Sequence, residues 1–361
     1  MQKNILFIIL CIAVVSPSCA VQPPTAAQGT KLDSPGQSDI EQVALPDKRL
    51  TIDINDLCVH DPFVLAEPDT KTYIVYQGYS PRRYISARLS INAGVIAYTS
   101  KDLIKWERPR LVFEIPEGFW ADRNAGPWAP EVHKYKDKYY LFATFHDWGV
   151  ADANSWGGRK IKKRGTQICV SENPLGPFKP IGNKPHTPEG EITLDGTLWV
   201  EDGRPWLIYC HEWVQITDGL IKAIRLKDDL SGTIGEPITL LNAADFDWTD
   251  KEPGSVTDGP QFYRMKNAAL AMLWSSHSNG HLYAQTVAYS PSGKLAGPWK
   301  HPAKPLLWDD RGHGMLIKDF DGRLLLVLHR YFRMPKTRVQ IWEMEDAGDE
   351  LRVKNQILGS K

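Results

Sequence analysis

The sequence predicts an all-β chain folded as a five-bladed β-propeller. Three observations predict it: a fivefold internal repeat of apolar strand pairs, a repeat length of roughly 55–70 residues that suits four strands per unit, and no strong amphipathic helix across the body. Composition agrees. The 361 residues carry 43 basic and 43 acidic side chains, so the formal charge is zero. That balance argues against a nucleic-acid binder, which needs a basic footprint to displace counterions. Residues of the AVILMFWYC set make up 42% of the chain, with 28 glycines besides, which excludes a disordered, collagenous or coiled-coil protein. Thirteen tryptophans are available for core filling or for stacking on sugar rings.

Residues 1–19 read as a signal segment. One lysine precedes an apolar run from Ile5 to Val15, too short to cross a bilayer as a helix but suited to an export signal. Ser16 and Ser18 then precede Cys19. The segment resembles a bacterial lipoprotein signal with Cys19 as the lipidated residue, although Ser16 stands where the strict motif has Leu. The expectation is an exported protein, lipid-anchored in the bacterial envelope at the periplasmic face or the cell surface, with no other membrane contact. Residues 20–47 are rich in Pro, Ser, Gln and Gly and read as a flexible tether. Residues 48–361 form the propeller domain, expected to be a monomer. Cys58, Cys169 and Cys210 are three and scattered, which suits small buried hydrophobes better than disulfides or a metal site.

Each repeat opens with a short polar motif and continues as apolar strand, tight turn and second apolar strand. The openings fall at His60 (HDPF), Trp128 (WAPEV), Leu194 (LDGT), Thr257 (TDGP) and Gly312 (GHG). The turns EPDTK, YKDK, EDGR, RMKN and DFDG carry hairpin chemistry. A second strand pair follows in every unit. The segment KRLTIDI, residues 48–54, is expected to close the last blade. In a propeller the first strand of each blade lines the channel, so the opening motifs should converge there. They bring His60, Asp61, Trp128, Glu131, Asp195, Asp258 and His313 towards one pocket.

Carboxylates gathered in one pocket suit glycoside hydrolysis. One must be ionised to activate water or attack carbon; another must keep its proton for the leaving oxygen. Crowding and apolar walls separate the two pKa values. At these motifs the chain resembles the five-bladed propeller glycosidases of glycoside hydrolase family 43, over residues 55–350. The resemblance implies Asp61 as the base and Asp195 as the residue that orients and tunes the acid. It implies a pocket wall at WAPEV, and a central His at His313, next to which some members hold Ca²⁺. No cofactor is otherwise required. The family opens blade four with Glu; here Asp258 stands there, one methylene shorter. Glu212, in CHEW at the end of the second strand of blade three, competes for the acid role, with Glu131 third. Trp213 beside it, like His60, Trp128, Glu131 and His313, is a candidate for sugar contact.

The expectation is an inverting hydrolase, and the resemblance implies that it releases a terminal arabinofuranose, xylose, galactose or galactofuranose unit from polysaccharide-derived glycans. Base and acid should then stand about 6.5–9.5 Å apart, whereas a retaining enzyme would bring them to about 5–5.5 Å. A non-catalytic glycan-binding lipoprotein and a propeller phosphorylase are the alternatives. Two stretches, residues 80–92 and 147–164, interrupt the repeat near the channel mouth and offer Arg82, Arg83, Trp148 and Trp156 as sugar contacts. The RKIKKR run within the second reads as a solvated basic loop rather than a site for an acidic glycan.

Overall fold

The computed structural model describes residues 51–81, 90, 92–152, 161–251, 254–278, 280 and 282–360. Cys19, the leader, the tether, Arg82, Arg83, Trp156 and the side chain of Trp148 lie outside the described residues. Five antiparallel sheets follow one another along the chain. Their inner strands are Phe63–Glu67, Trp128–Tyr135, Thr193–Glu201, Asp258–Arg264 and Arg311–Lys318, in phase with the five opening motifs. The sheets are the blades of the expected propeller. Blades two, three and five have four regular strands. Blade four has three, and its outer edge is completed by isolated bridges from Lys300 to Tyr289 and from Leu307 to Gln285.

The second strand of a blade is apolar throughout because both of its faces are covered. Side chains alternate along a strand, so successive residues pack on opposite neighbours. In Arg204–His211, Leu207 and Tyr209 join a core with Phe142 and Ile168 of blade two. Ile208 and Cys210 join a different core with Met272 and Trp274 of blade four. Blade four repeats the pattern: Leu270, Met272 and Trp274 face back, while Ala271 and Leu273 face blade five. Cys169 and Cys210 are buried, Cys58 is half-buried, and none of the three is in a disulfide.

The ring is closed differently from expectation. Ile52–Asp53 pairs with Lys105–Trp106 at the edge of blade one, not with blade five. Blade five needs no borrowed strand, because Leu351–Leu358 already supplies its outer one. The seam is held by core packing of Val339 and Ile341 with blade one, and by the Val339 amide donating to the Leu57 carbonyl at 3.3 Å. The interruption after blade two also differs. Lys138–Asp152 and Ile161–Ser171 are strands that run on past the blade, so Lys162, Lys163 and Arg164 sit in a β-ladder rather than a loop. Among the described residues no helix is long and apolar enough to cross a membrane.

Candidate active site

One backbone device recurs in every blade. The ladder slips at the start of the inner strand in blades two to five, between Trp128 and Glu131, Leu194 and Thr197, Asp258 and Gln261, and Gly312 and Met315. Within each slip one residue takes a positive φ: Ala129 at 40°, Asp195 at 54°, Gly259 at 54° and His313 at 51°. Asp61, at 53°, is their counterpart in blade one. Such bulges re-aim a side chain, and holding a non-glycine residue there costs on the order of 1–3 kcal/mol. The neighbouring blade supports the strain. The Asp195 amide donates to Thr144 Oγ1 at 2.9 Å, the His313 amide to Ser275 Oγ at 2.7 Å, and the Asp61 amide to His329 Nδ1 at 3.1 Å. Each acceptor lies on the second strand of the preceding blade, with blade five preceding blade one.

The bulges bring Asp61, Asp195 and His313 together. His313 Nδ1 is 3.0 Å from Asp61 Oδ1 and 3.8 Å from Asp195 Oδ2. His60 Nδ1 holds the other Asp61 oxygen at 2.8 Å. Asp195 Oδ2 accepts the Gly259 amide at 3.0 Å. Gly259 is needed there for two reasons: its φ is positive, and a Cβ would fall 2.8 Å from the His313 ring. Asp258 precedes the bulge residue by one, and Tyr283 donates its hydroxyl to Asp258 Oδ2 at 3.1 Å.

These contacts separate the carboxyl groups electrostatically. Burial alone would raise Asp61, but His313 and His60 outweigh it and hold it well below the ordinary carboxylate value. Burial lowers His313, but Asp61 and Asp195 reverse this and bring it to about 10. Burial pushes Asp195 well up, and the nearby charges of Asp258 and Asp61 add to that. Burial likewise lifts Asp258, to about 6, with Asp61 and Glu212 adding repulsion against the opposing pull of His313 and Tyr283. Glu212 is also raised by burial, and its ion pair with Arg164 offsets only part of the rise. One cavity therefore holds an ionised carboxylate and a carboxylic acid that titrates near neutrality.

That cavity measures about 660 Å³ and is lined by His60, Asp61, Trp128, Asp195, Glu212, Trp213, Asp258 and His313 among others. Every expected site residue among the described ones reaches it except Glu131. The Glu131 carboxylate turns instead to His133, at 2.9 Å, because residues two apart share one face of the strand. Trp128 is 38% exposed and carries His146 at 4.1 Å and the Arg164 guanidinium at 4.4 Å against its ring. Trp213 opens the four-residue helix Trp213–Ile216 that follows Glu212.

Sequence reasoning missed His329, Tyr283 and Arg164. His329 is fully buried and stacks on His60 at 4.3 Å and on Tyr283 at 5.4 Å, so it links the surroundings of Asp61 to the hydrogen-bond partner of Asp258. A signal existed: His146, His211, His277 and His329 all stand at or near the channel end of a second strand, a second periodicity beside the opening motifs. The nitrogen atoms of His60 and His329 and the carboxylate of Asp61 lie within 4.8 Å of one another. Ca²⁺ takes six to eight oxygen ligands, and this set offers one carboxylate beside two imidazoles.

A propeller whose channel mouth gathers buried carboxylates has the groups that glycoside hydrolysis needs. The glycosyl hydrolases family 43 model matches residues 54–345, and the chain belongs to that family. The chain is similar to an endo-arabinase from Bacteroides thetaiotaomicron VPI-5482, at 36% identity and a TM-score of 0.69, over 81% of this chain and 96% of that one. It also shares the fold of an endo-1,4-beta-xylanase from the same organism (22% identity, TM-score 0.64, 84% and 98% covered). An exo-1,5-alpha-L-arabinanase from a bovine ruminal metagenomic library shares it too (18%, 0.60, 85% and 100%). Comparison with curated proteins gave no match.

Proposed function

We propose that the protein is an inverting hydrolase that releases terminal α-L-arabinofuranosyl units from polysaccharide-derived glycans. The observation that carries the mechanism is that one cavity holds Asp61, clasped by His60 and His313, and Asp258, hydrogen-bonded by Tyr283, contacts that lower the first pKa while burial raises the second. Asp61, held ionised, takes a proton from a water that attacks the anomeric carbon. Asp258 gives its proton to the departing glycosidic oxygen. Asp195 holds the Gly259 amide and, through it, the bulge that presents Asp258. Glu212 is paired with Arg164, a permanent cation, so its role is to fix Arg164 beneath Trp128. The likeness to the endo-arabinase supports the arabinofuranosyl choice among the four candidate sugars. Among the described residues the cavity carries five carboxylates (Asp61, Asp195, Glu212, Asp250 and Asp258) and one guanidinium, Arg333, which disfavours phosphate as the attacking species.

The test is a panel of aryl α-L-arabinofuranoside, β-D-xyloside, β-D-galactoside and β-D-galactofuranoside with natural oligosaccharides. Wild type runs beside Asp61→Asn, Asp258→Asn and Glu212→Gln. Release of arabinose with inverted configuration by NMR, lost in Asp61→Asn, supports the reading. Failure of Glu212→Gln rather than Asp258→Asn on poor leaving groups moves the acid role to Glu212. No turnover with glycan binding intact in all four proteins makes the propeller a binding module. We also propose export and lipidation at Cys19, supported by the leader composition; loss of fatty-acid labelling in Cys19→Ser is the check.

A further inference from the structure

A second cavity, of about 870 Å³, lies between blades two and three. Its walls are the strand Ile161–Ser171, the link of residues 181–192, and the turn after Leu220–Leu226. It starts beside the active site. Arg164 lines it and pairs with Glu212, which lines the catalytic cavity. Its other wall is Lys227 with Ser231, Gly232 and Thr233, in and beside the turn after Leu220–Leu226.

The charges along this cleft do not balance. Lys163, Arg164, Lys184 and Lys227 face Glu189 and Glu191. Two of the six are already neutralised: Arg164 by Glu212, and Glu191 by Lys222 with a further bond from the Tyr209 hydroxyl. Three lysines remain against Glu189, in a chain whose overall charge is zero. Lys163 is held over the Trp120 ring at 5.3 Å. Lysines contributed by three separate walls of one cleft match a ligand with repeated negative charge rather than a single anion. The basic segment that reads from sequence as a solvated loop is thus a strand forming one wall of this cleft.

We propose that the cleft between blades two and three binds an anionic stretch of the glycan, with Lys163, Lys184 and Lys227 as its charge contacts. The site extends the hydrolase reading by giving the substrate an acidic portion, a uronate- or sulfate-bearing chain, that anchors it beside the catalytic cavity. An ammonium group meets carboxylate and sulfate alike, so the ligand is tested from both sources.

The experiment is titration calorimetry of the full propeller with trigalacturonate, a κ-carrageenan tetrasaccharide and neutral galactotriose, at low and at physiological ionic strength. One anionic probe should bind more tightly than galactotriose, and the preference should fall as salt screens the charges. Lys184→Ala and Lys227→Ala should each weaken it roughly fivefold. Lys318→Ala, on the exposed hairpin of blade five, serves as the charge control. Equal binding of all three probes overturns the proposal, as does equal loss in Lys318→Ala. Turnover of neutral aryl arabinofuranoside is measured in the same preparations. Turnover without anion preference removes the cleft proposal and leaves the hydrolase; anion preference without turnover does the reverse.

Discussion

Replacing Tyr283 by Phe removes one hydroxyl from the site and leaves its ring. The ring matters, because it stacks on His329 at 5.4 Å with an interplanar angle of 6°. The hydroxyl donates to Asp258 Oδ2 at 3.1 Å, which favours the ionised carboxylate and pulls against burial. A hydrogen bond to a charged group contributes about 1.5–3 kcal/mol, and one pKa unit corresponds to about 1.36 kcal/mol. Its loss should raise Asp258 from about 6 by about one unit. At pH 7 the protonated share then climbs from about a tenth to about half. The assay is the pH dependence of kcat/KM on arabinofuranosides with a poor and a good leaving group. With the poor leaving group, the alkaline limb should lie near 6 in the wild type and near 7 in Tyr283→Phe. With the good one, which needs little protonation, the limb should be shallow in both proteins. An alkaline limb that stays in place, or moves to lower pH, refutes Asp258 as the proton donor.

Asp61→Asn should lower kcat by roughly 10²–10⁴-fold, the usual value of a positioned base, with KM little changed, by steady-state kinetics. Arg164→Met should leave Glu212 buried without its cation, both side chains being at most 10% exposed. The cost should be about 3–5 kcal/mol by urea unfolding near pH 8. Because the folded Glu212 is already raised above its ordinary 4.5, and loss of Arg164 raises it further, that cost is full above the raised value. It should disappear as pH falls below about 4.5, where the group is neutral in both states. Gly259→Ala should meet both a positive φ and the His313 ring, lowering Tm and kcat together. Unchanged kcat there would show that the His313 position does not govern the chemistry.

Much of the molecule follows from local pattern. Hairpin turns between apolar runs specify strands, and the fivefold repeat specifies the blades, because strand period and turn chemistry are properties of neighbouring residues. The same repeat placed His60, Asp61, Trp128, Asp195, Asp258 and His313 at one mouth. Glu131 lies outside that cavity, on His133. A bulge ahead of it changes the alternation, and a one-residue slip in a strand turns a side chain to the other face.

What only the tertiary structure decided concerns contacts between blades. The acceptors Thr144, Ser275 and His329 hold three of the five positive-φ positions from the preceding blade, and no spacing within one repeat encodes them. The ordering of the carboxyl pKa values, Asp61 low and Asp258 near 6, arises from burial and from charges contributed by other blades. The route of Ile52–Asp53 to blade one was settled by the edge that remained unpaired. The lysine-lined cleft exists because two blades and their link enclose it. Sequence determines which residues are carried to the channel mouth, since periodicity is local. Protonation, support and enclosure depend on distances between segments far apart in the chain, and these exist only once the ring has closed.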